Sequence, residues 1–330
     1  MKKIFIILIC LLITSPAFAL ETPLKQLSKI SKKTKLVKIQ SYNAKNYMVI
    51  KDGSYKKSPI EVDALIAYPK KGEGPFPVLM IVHSSGGPGE FNSKWYRYHK
   101  ESARSLLKKG IAIMFLDNYS ARGAVHTFAD QSQVALFSGY IDAFMALEYL
   151  SKDPKINIKK VGISGYSRGG MISIMASEKR LRDALVSKDL YFAAAQPRSP
   201  DCWNVGMFRN PQPIKETKTW MVLGGADDYT LAEPCVVHGE KIKANGGDIE
   251  VTVKKGWHHG FLANYEVEYE ARSEIWSGCP AWFTEDDGSY SVGSADFGDP
   301  CIKYGAHEGG DKWSQFRGKF LKFWKKTLLN

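Results

Sequence analysis

Apolar residues fall along this chain in two rhythms. Short, nearly unbroken runs recur at 78–82, 111–116, 160–164, 191–195, 219–223 and 249–253. Runs of that length with little polar interruption suit strands buried on both faces. Between them lie stretches whose apolar residues are three and four apart. Residues 95–109, ending at Gly110, read as one helix. Residues 132–150 read as another, with Val134, Phe137, Ile141, Phe144, Leu147 and Tyr149 as its apolar positions, and Asp153-Pro154 stops it. Further helices are expected after 169 to about Lys179, over 232–244, and over 314–328 with a basic polar face. Strands alternating with helices call for a mostly parallel central sheet with helices on both sides.

The two ends of the pattern differ. Up to about Lys45 the chain is a polar, basic lead-in. Residues 47–50 and 61–68 then read as strands, joined through a turn at Asp52-Gly53 into an antiparallel hairpin. The run 249–253 reads as the last strand. Residues 262–311 break the alternation, being rich in Gly, Ser, Asp and aromatics with two cysteines. They read as an inserted, disulfide-clipped loop at the rim of a site, either a lid or a surface decoration.

The first nineteen residues carry Lys2 and Lys3, an apolar run over 4–13, and Ala17-Phe18-Ala19. That is the pattern of a cleaved secretory signal, 1–19, which leaves 20–330 as a single domain. Cys10 follows Ile9 rather than a small residue, which speaks against lipidation. No later apolar run is long enough to cross a bilayer, so no stable membrane insertion is expected after cleavage. The location expected is secreted or periplasmic.

The formal net charge is +12, and removing Lys2 and Lys3 leaves +10. The excess is concentrated in 25–57. No nucleic-acid module accompanies it, so it reads as a solvated basic face and no nucleic-acid partner is expected. Cys202, Cys235, Cys279 and Cys301 are an even set in an exported chain and allow three pairings. Cys202–Cys235 and Cys279–Cys301 each close a local loop and are the pairing expected. No Cys/His spacing suggests zinc.

Chemistry enters at Gly165-Tyr166-Ser167-Arg168-Gly169, between an apolar run and a helical stretch. Strand, G-x-S-x-G and helix form a nucleophile elbow, a sharp turn that presents a serine hydroxyl to a cleft. A serine hydroxyl needs a base to take its proton, and the base needs a carboxylate to orient it. Of seven histidines, His258 and His259 come directly after the run 249–253. Asp227 and Asp228 follow the run 219–223. The order Ser, Asp, His, each after a parallel strand, is that of α/β-hydrolases. Backbone N–H groups of Arg168 and of Ser84 or Ser85, in the Gly-rich loop 83–89, would hold an oxyanion. The Arg168 side chain reads as a ligand for a substrate carboxylate or half of a structural salt bridge, and Arg122 as a brace between loops. Tyr119, Tyr166, Trp203 and Trp257 read as an acyl pocket or as packing. His83 reads as structural, and His99 and His126 carry no motif.

With these residues in view, the sequence resembles the dienelactone hydrolase family from about Pro59 to Phe261. The serine elbow, Gly224-Gly225-Ala226-Asp227, His259-Gly260-Phe261 and Asp117 through Arg122-Gly123 carry the likeness. The resemblance implies an α/β-hydrolase fold, with His259 as base and Asp227 as acid, Asp228 being the alternative. Two departures stand out: namesake members use cysteine where this chain has Ser167, and the insertion after Phe261 is outside the common pattern. The expected function is an exported serine hydrolase acting on a small-molecule acyl substrate through an acyl-enzyme, with no cofactor and no metal. Rival readings are a peptidase of the prolyl-oligopeptidase kind and a non-catalytic binding protein on the same scaffold. The sequence does not fix oligomeric state.

Overall fold

A computed structural model describes residues 22–203, 206–280, 283–290 and 301–330. The expected signal segment 1–19 lies outside the described residues. In chain order the helices are α1 (Pro23–Leu27), α2 (Tyr47–Lys51), α3 (Tyr98–Leu107), α4 (Leu136–Ser151), α5 (Arg168–Met175), α6 (Lys179–Leu185), α7 (Ala232–Ala244) and α8 (Trp313–Leu328). The strands are β1 (Thr34–Tyr42), β2 (Pro59–Ala67), β3 (Phe76–Val82), β4 (Ala112–Asp117), β5 (Ile156–Tyr166), β6 (Ala194–Arg198), β7 (Met207–Phe208), β8 (Lys218–Gly224), β9 (Asp248–Lys254), β10 (Glu268–Ile275), β11 (Phe283–Thr284) and β12 (Lys303–Glu308).

Eight strands form one sheet in the order β1-β2-β4-β3-β5-β6-β8-β9. β2 is antiparallel to β1 and to β4, and from β4 onward all neighbours are parallel. The apolar runs are strands because both faces of the sheet are covered. In β3, Val78, Met80 and Val82 join the core on one side, while Leu79 and Ile81 join the other. In β4, Ala112, Met114 and Leu116 alternate in the same way with Ile113 and Phe115. The period of two splits an unbroken run between two cores. α4 and α5 close the first core. α1, α3 and α8 close the second, where Trp324 is fully buried.

Several sequence expectations are corrected. Residues 47–50 are not a strand but lie in α2, whose N-cap Asn46 accepts the Val49 N–H at 3.3 Å. The partner of β2 is β1, inside the supposed lead-in, where Val37, Ile39 and Ser41 point inward between exposed Lys38 and Gln40. The helix expected from 132 starts at Leu136, after a short 3-10 turn capped by Asp130. The helix after the elbow breaks at Ala176 and restarts as α6, capped by Glu178. The run at 191–195 pairs three residues later, as β6.

β9 is not the last strand. The inserted stretch folds into an antiparallel pair, β10 with β12, offset between Glu270 and Glu274. β11 pairs in parallel with β7. Both expected disulfides are formed, Cys202–Cys235 with Cα atoms 5.0 Å apart and Cys279–Cys301 with Cα atoms 4.9 Å apart. The first ties the chain beyond β6 to α7. The second clips the insertion. Among the described residues no helix is long and apolar enough to cross a membrane.

Candidate active site

β5 ends at Tyr166 and α5 begins at Arg168, so Ser167 alone makes the turn. Its backbone sits at φ 52° and ψ −119°, a region that a residue with a side chain occupies only under constraint. Two backbone hydrogen bonds hold it there. The Ser167 N–H donates to the Arg198 carbonyl at 2.8 Å, and its own carbonyl accepts the Met171 N–H at 2.9 Å. The strain allows strand and helix to meet at a sharp angle with the serine at the apex.

Two loops after β8 and β9 supply the other groups. Asp227 Oδ1 accepts the backbone N–H groups of Tyr229 at 3.1 Å and Thr230 at 2.9 Å. Its Oδ2 faces His259 Nδ1 at 2.9 Å. The Thr230 hydroxyl lies 3.2 Å from both Oδ2 and Nδ1 and donates to the Ser199 carbonyl at 3.1 Å. The imidazole is flanked by the Tyr166 ring, 4.8 Å between centroids, and the Tyr229 ring, 4.5 Å. Burial draws the His259 pKa down, but attraction to Asp227 and its hydrogen bond outweigh this, and the net shift is upward.

Asp228 turns away from this group. Its carboxylate binds the His307 N–H at 2.9 Å and His307 Nδ1 at 2.7 Å, tying this loop to β12. His258 is also apart, with its ring 5.8 Å from that of His307.

Ser167 and His259 line one cleft of about 620 Å³. Among the described residues no hydrogen bond joins the Ser167 hydroxyl to the imidazole. Ser84 and Ser85 line the same cleft, and α5 aims its first N–H groups beside Ser167. The two serines differ. The Ser84 N–H and hydroxyl both donate to the Glu90 carboxylate, the N–H at 3.1 Å. The Ser85 N–H has no acceptor among the described residues, and neither has that of Arg168. Burial pushes the Glu90 carboxyl up to about 7, although its bonds from Ser84 pull the other way.

The Arg168 side chain does not enter the cleft. It donates to the Gln131 carbonyl at 3.2 Å, to Gln131 Oε1 at 3.1 Å and to the Val134 carbonyl. Among the described residues it makes no ion pair, so both roles expected for it are corrected. Arg122 does brace loops, donating to the Asn43 side chain at 2.8 Å and the Asn118 carbonyl at 2.6 Å while gripping Asp142 of α4 at 2.7 and 3.0 Å. His83 accepts the Asn118 N–H at Nε2, 3.1 Å, and donates from Nδ1 to the Ser84 carbonyl, 2.8 Å. That fixes its tautomer and fits the structural reading.

Of the four aromatics proposed for an acyl pocket, only Tyr166 lines the cleft. Tyr119 is buried against Thr127, at 2.8 Å. Trp203 donates to the Cys279 carbonyl at 2.7 Å, and Trp257 packs on Phe261. The rings that do line the cleft are Trp95, Tyr96, Phe128, Tyr229, Tyr265 and Tyr269. Glu90 and Glu308 also line it and were missed from sequence, since neither belongs to a local motif. Thr230, three residues after Asp227, had a signal: an Asp followed by Thr at that spacing closes a local turn. Among the described residues no group of three or more His, Cys, Asp or Glu is placed to hold a metal ion.

Residues 62–286, more than half of the chain, match the model of the dienelactone hydrolase family. The match takes in Ser167, Asp227, His259 and the first part of the insertion. No curated protein matches the sequence. Among solved structures the chain is similar to a protein from Klebsiella pneumoniae subsp. pneumoniae assigned as a dienelactone hydrolase, at 15% identity and TM-score 0.49, over 71% of this chain and 90% of that one. It is also similar to a thermophilic esterase from the planctomycete Thermogutta terrifontis, at 16% identity and TM-score 0.45, over 62% and 80%. A third is a dienelactone hydrolase-like promiscuous phosphotriesterase from metagenomic libraries, at 15% identity and TM-score 0.44, over 69% and 84%. By its family match, and with the mostly parallel sheet clothed in helices that such a match calls for, the chain belongs to the dienelactone hydrolase family of α/β-hydrolases.

Proposed function

We propose that this hydrolase cleaves an ester-type bond through Ser167, His259 and Asp227, by way of an acyl-enzyme. One observation carries the reading: the Asp227–His259 pair is hydrogen-bonded inside the cleft that the strained Ser167 also lines. His259 Nε2 takes the Ser167 proton as Oγ bonds to the carbonyl carbon. The N–H groups of Arg168 and Ser85 hold the resulting oxyanion. Collapse breaks the bond to the leaving alcohol, which receives the proton from the imidazolium. Water then attacks the acyl carbon, again giving its proton to His259, and the acid departs as Ser167 regains its hydrogen.

The insertion serves this site as a wall. Tyr265, Tyr269, Arg272 and Glu308 line the cleft from it, and the Glu274 N–H anchors it to the Phe128 carbonyl at 3.0 Å. Export through a cleaved 1–19 segment is part of the proposal, and the two disulfides support an oxidising compartment.

A fluorophosphonate reagent tests the nucleophile. It should label the wild type at Ser167 and leave Ser167→Ala unlabelled. Equal labelling of both proteins rules the assignment out.

The base has its own signature in pH. His259 acts only when unprotonated, and Asp227 favours the protonated form, so its pKa lies above the ordinary 6.5. With a short ester, kcat/KM should therefore fall as pH drops through a midpoint above that value. A midpoint at or below it would show that burial outweighs Asp227.

A further inference from the structure

The side chains lining the cleft include more carboxyl than cationic groups, the reverse of the balance in the chain as a whole. The protein carries a net +12, yet the carboxylates Glu90, Glu268, Glu270 and Glu308 all line the cleft. Among the described residues Arg272 is the one guanidinium lining it, and it is bound to Glu270 at 2.9 and 3.1 Å. The arginine next to the nucleophile, Arg168, is held elsewhere by Gln131 and Val134. A substrate carboxylate entering here meets no unpaired cation among the lining residues.

The walls point the same way. Trp95 and Tyr269 keep 47% and 60% of their surface in solvent at the cleft mouth, and Tyr96 and Tyr265 stand beside them. Ring faces attract cations, and a carboxylate nearby adds to the pull. A concave site lined by one sign of charge also concentrates ligands of the other sign.

We propose that this cleft selects esters carrying a positive charge on the part that rests against β10 and β12, and disfavours carboxylate-bearing esters. The inference rests on the serine-hydrolase reading above and adds a substrate class to it. Burial holds the carboxyls of Glu90 and Glu308 toward their protonated forms, and a bound ammonium would draw them back to the charged one.

Two ester series test this on the full protein. One places the charge on the acyl side: p-nitrophenyl esters of γ-trimethylammoniobutyric acid, of its neutral tert-butyl isostere, and of the matching dicarboxylic half-acid. The other places it on the leaving side, with acetylthiocholine against its neutral tert-butyl isostere. In at least one series the cationic ester should exceed the neutral one in kcat/KM by about tenfold, and the carboxylate should fall below both. Glu270→Gln should reduce the ratio, because it leaves Arg272 unpaired. Arg272→Gln should raise it, because it leaves Glu270 unpaired. Opposite shifts from the two halves of one ion pair would not follow from general disruption. Binding of benzyltrimethylammonium and of phenylacetate, followed by tryptophan fluorescence, reads the sign of the cleft without turnover, and the cation should bind more tightly. Equal kcat/KM for cationic and neutral esters in both series, or preference for the carboxylate, overturns the proposal while leaving the hydrolase reading in place. Failure of every ester together with an unlabelled Ser167 overturns the hydrolase reading itself.

Discussion

Asp227→Asn should lower kcat for ester hydrolysis by about 10⁴-fold, while Asp228→Asn should leave it within about threefold. The sequence placed these two carboxylates side by side and gave no reason to prefer one beyond a family likeness. The hydrogen bonds separate them. Asp227 Oδ1 is held by the N–H groups of Tyr229 and Thr230 and lies 3.1 Å from His259 Nδ1, while Oδ2, which neither N–H holds, is the nearer oxygen at 2.9 Å. In the asparagine variant those two donors keep the amide oxygen, and the amide NH₂ is turned toward His259 Nδ1. A nitrogen that donated must then accept. The imidazole proton moves to Nε2, the atom that has to receive the proton of Ser167. The variant keeps its shape and presents the wrong tautomer. Asp228 binds His307 near the surface and touches neither reacting group. Single-turnover rates of the two variants, with circular dichroism to establish the fold, check the prediction. Comparable losses in both would remove Asp227 from its assigned role.

Residue pattern alone carried the argument furthest where burial is two-sided. β3 and β4 are strings of apolar residues because each face has its own core, so no polar alternation blurs them. The edge was harder. β1 puts Val37, Ile39 and Ser41 inward, but Lys35, Lys38 and Gln40 face solvent, and the charge masked a regular period of two. α2 was misread because four apolar residues in a row suit a strand as well as a helix. Asn46, a good N-cap one position earlier, held the distinguishing information. The sharp turn at Ser167, and Asp227 and His259 in the loops beside it, were each legible as motifs at strand ends. The walls of the cleft were not. Tyr265, Tyr269 and Glu308 reach it only because the inserted strands fold back along His259, where Gly309 donates its N–H to the His259 carbonyl at 2.7 Å. That is a contact between distant segments, and no local pattern encodes it.

Gly165→Ala tests the elbow by pure sterics. A Cβ at 165 would sit 2.2 Å from the Gly169 carbonyl oxygen and 2.3 Å from its carbon, both backbone atoms of α5. Neither can rotate aside, so relief requires β5 and the start of α5 to part. Ser167 stands between them at φ 52°, and the hydroxyl moves with them. Gly169 has the same problem one turn on, where a Cβ would lie 2.5 Å from the His83 carbonyl oxygen. Its substitution would push α5 from the loop that carries Ser85. A displacement of about 1 Å at a reacting group costs roughly 10²-fold in rate. Each variant should therefore lose about two orders of magnitude in fluorophosphonate labelling rate, with the loss in kcat rather than KM. Gly318→Ala is the control, since a Cβ on that helical glycine of α8 meets nothing within 4 Å and alanine favours the helix. It should label at the wild-type rate and melt no lower. Wild-type labelling by Gly165→Ala would mean that strand and helix are not in contact at the turn. The strained serine would then have no steric cause, and its reactivity would have to come from His259 alone.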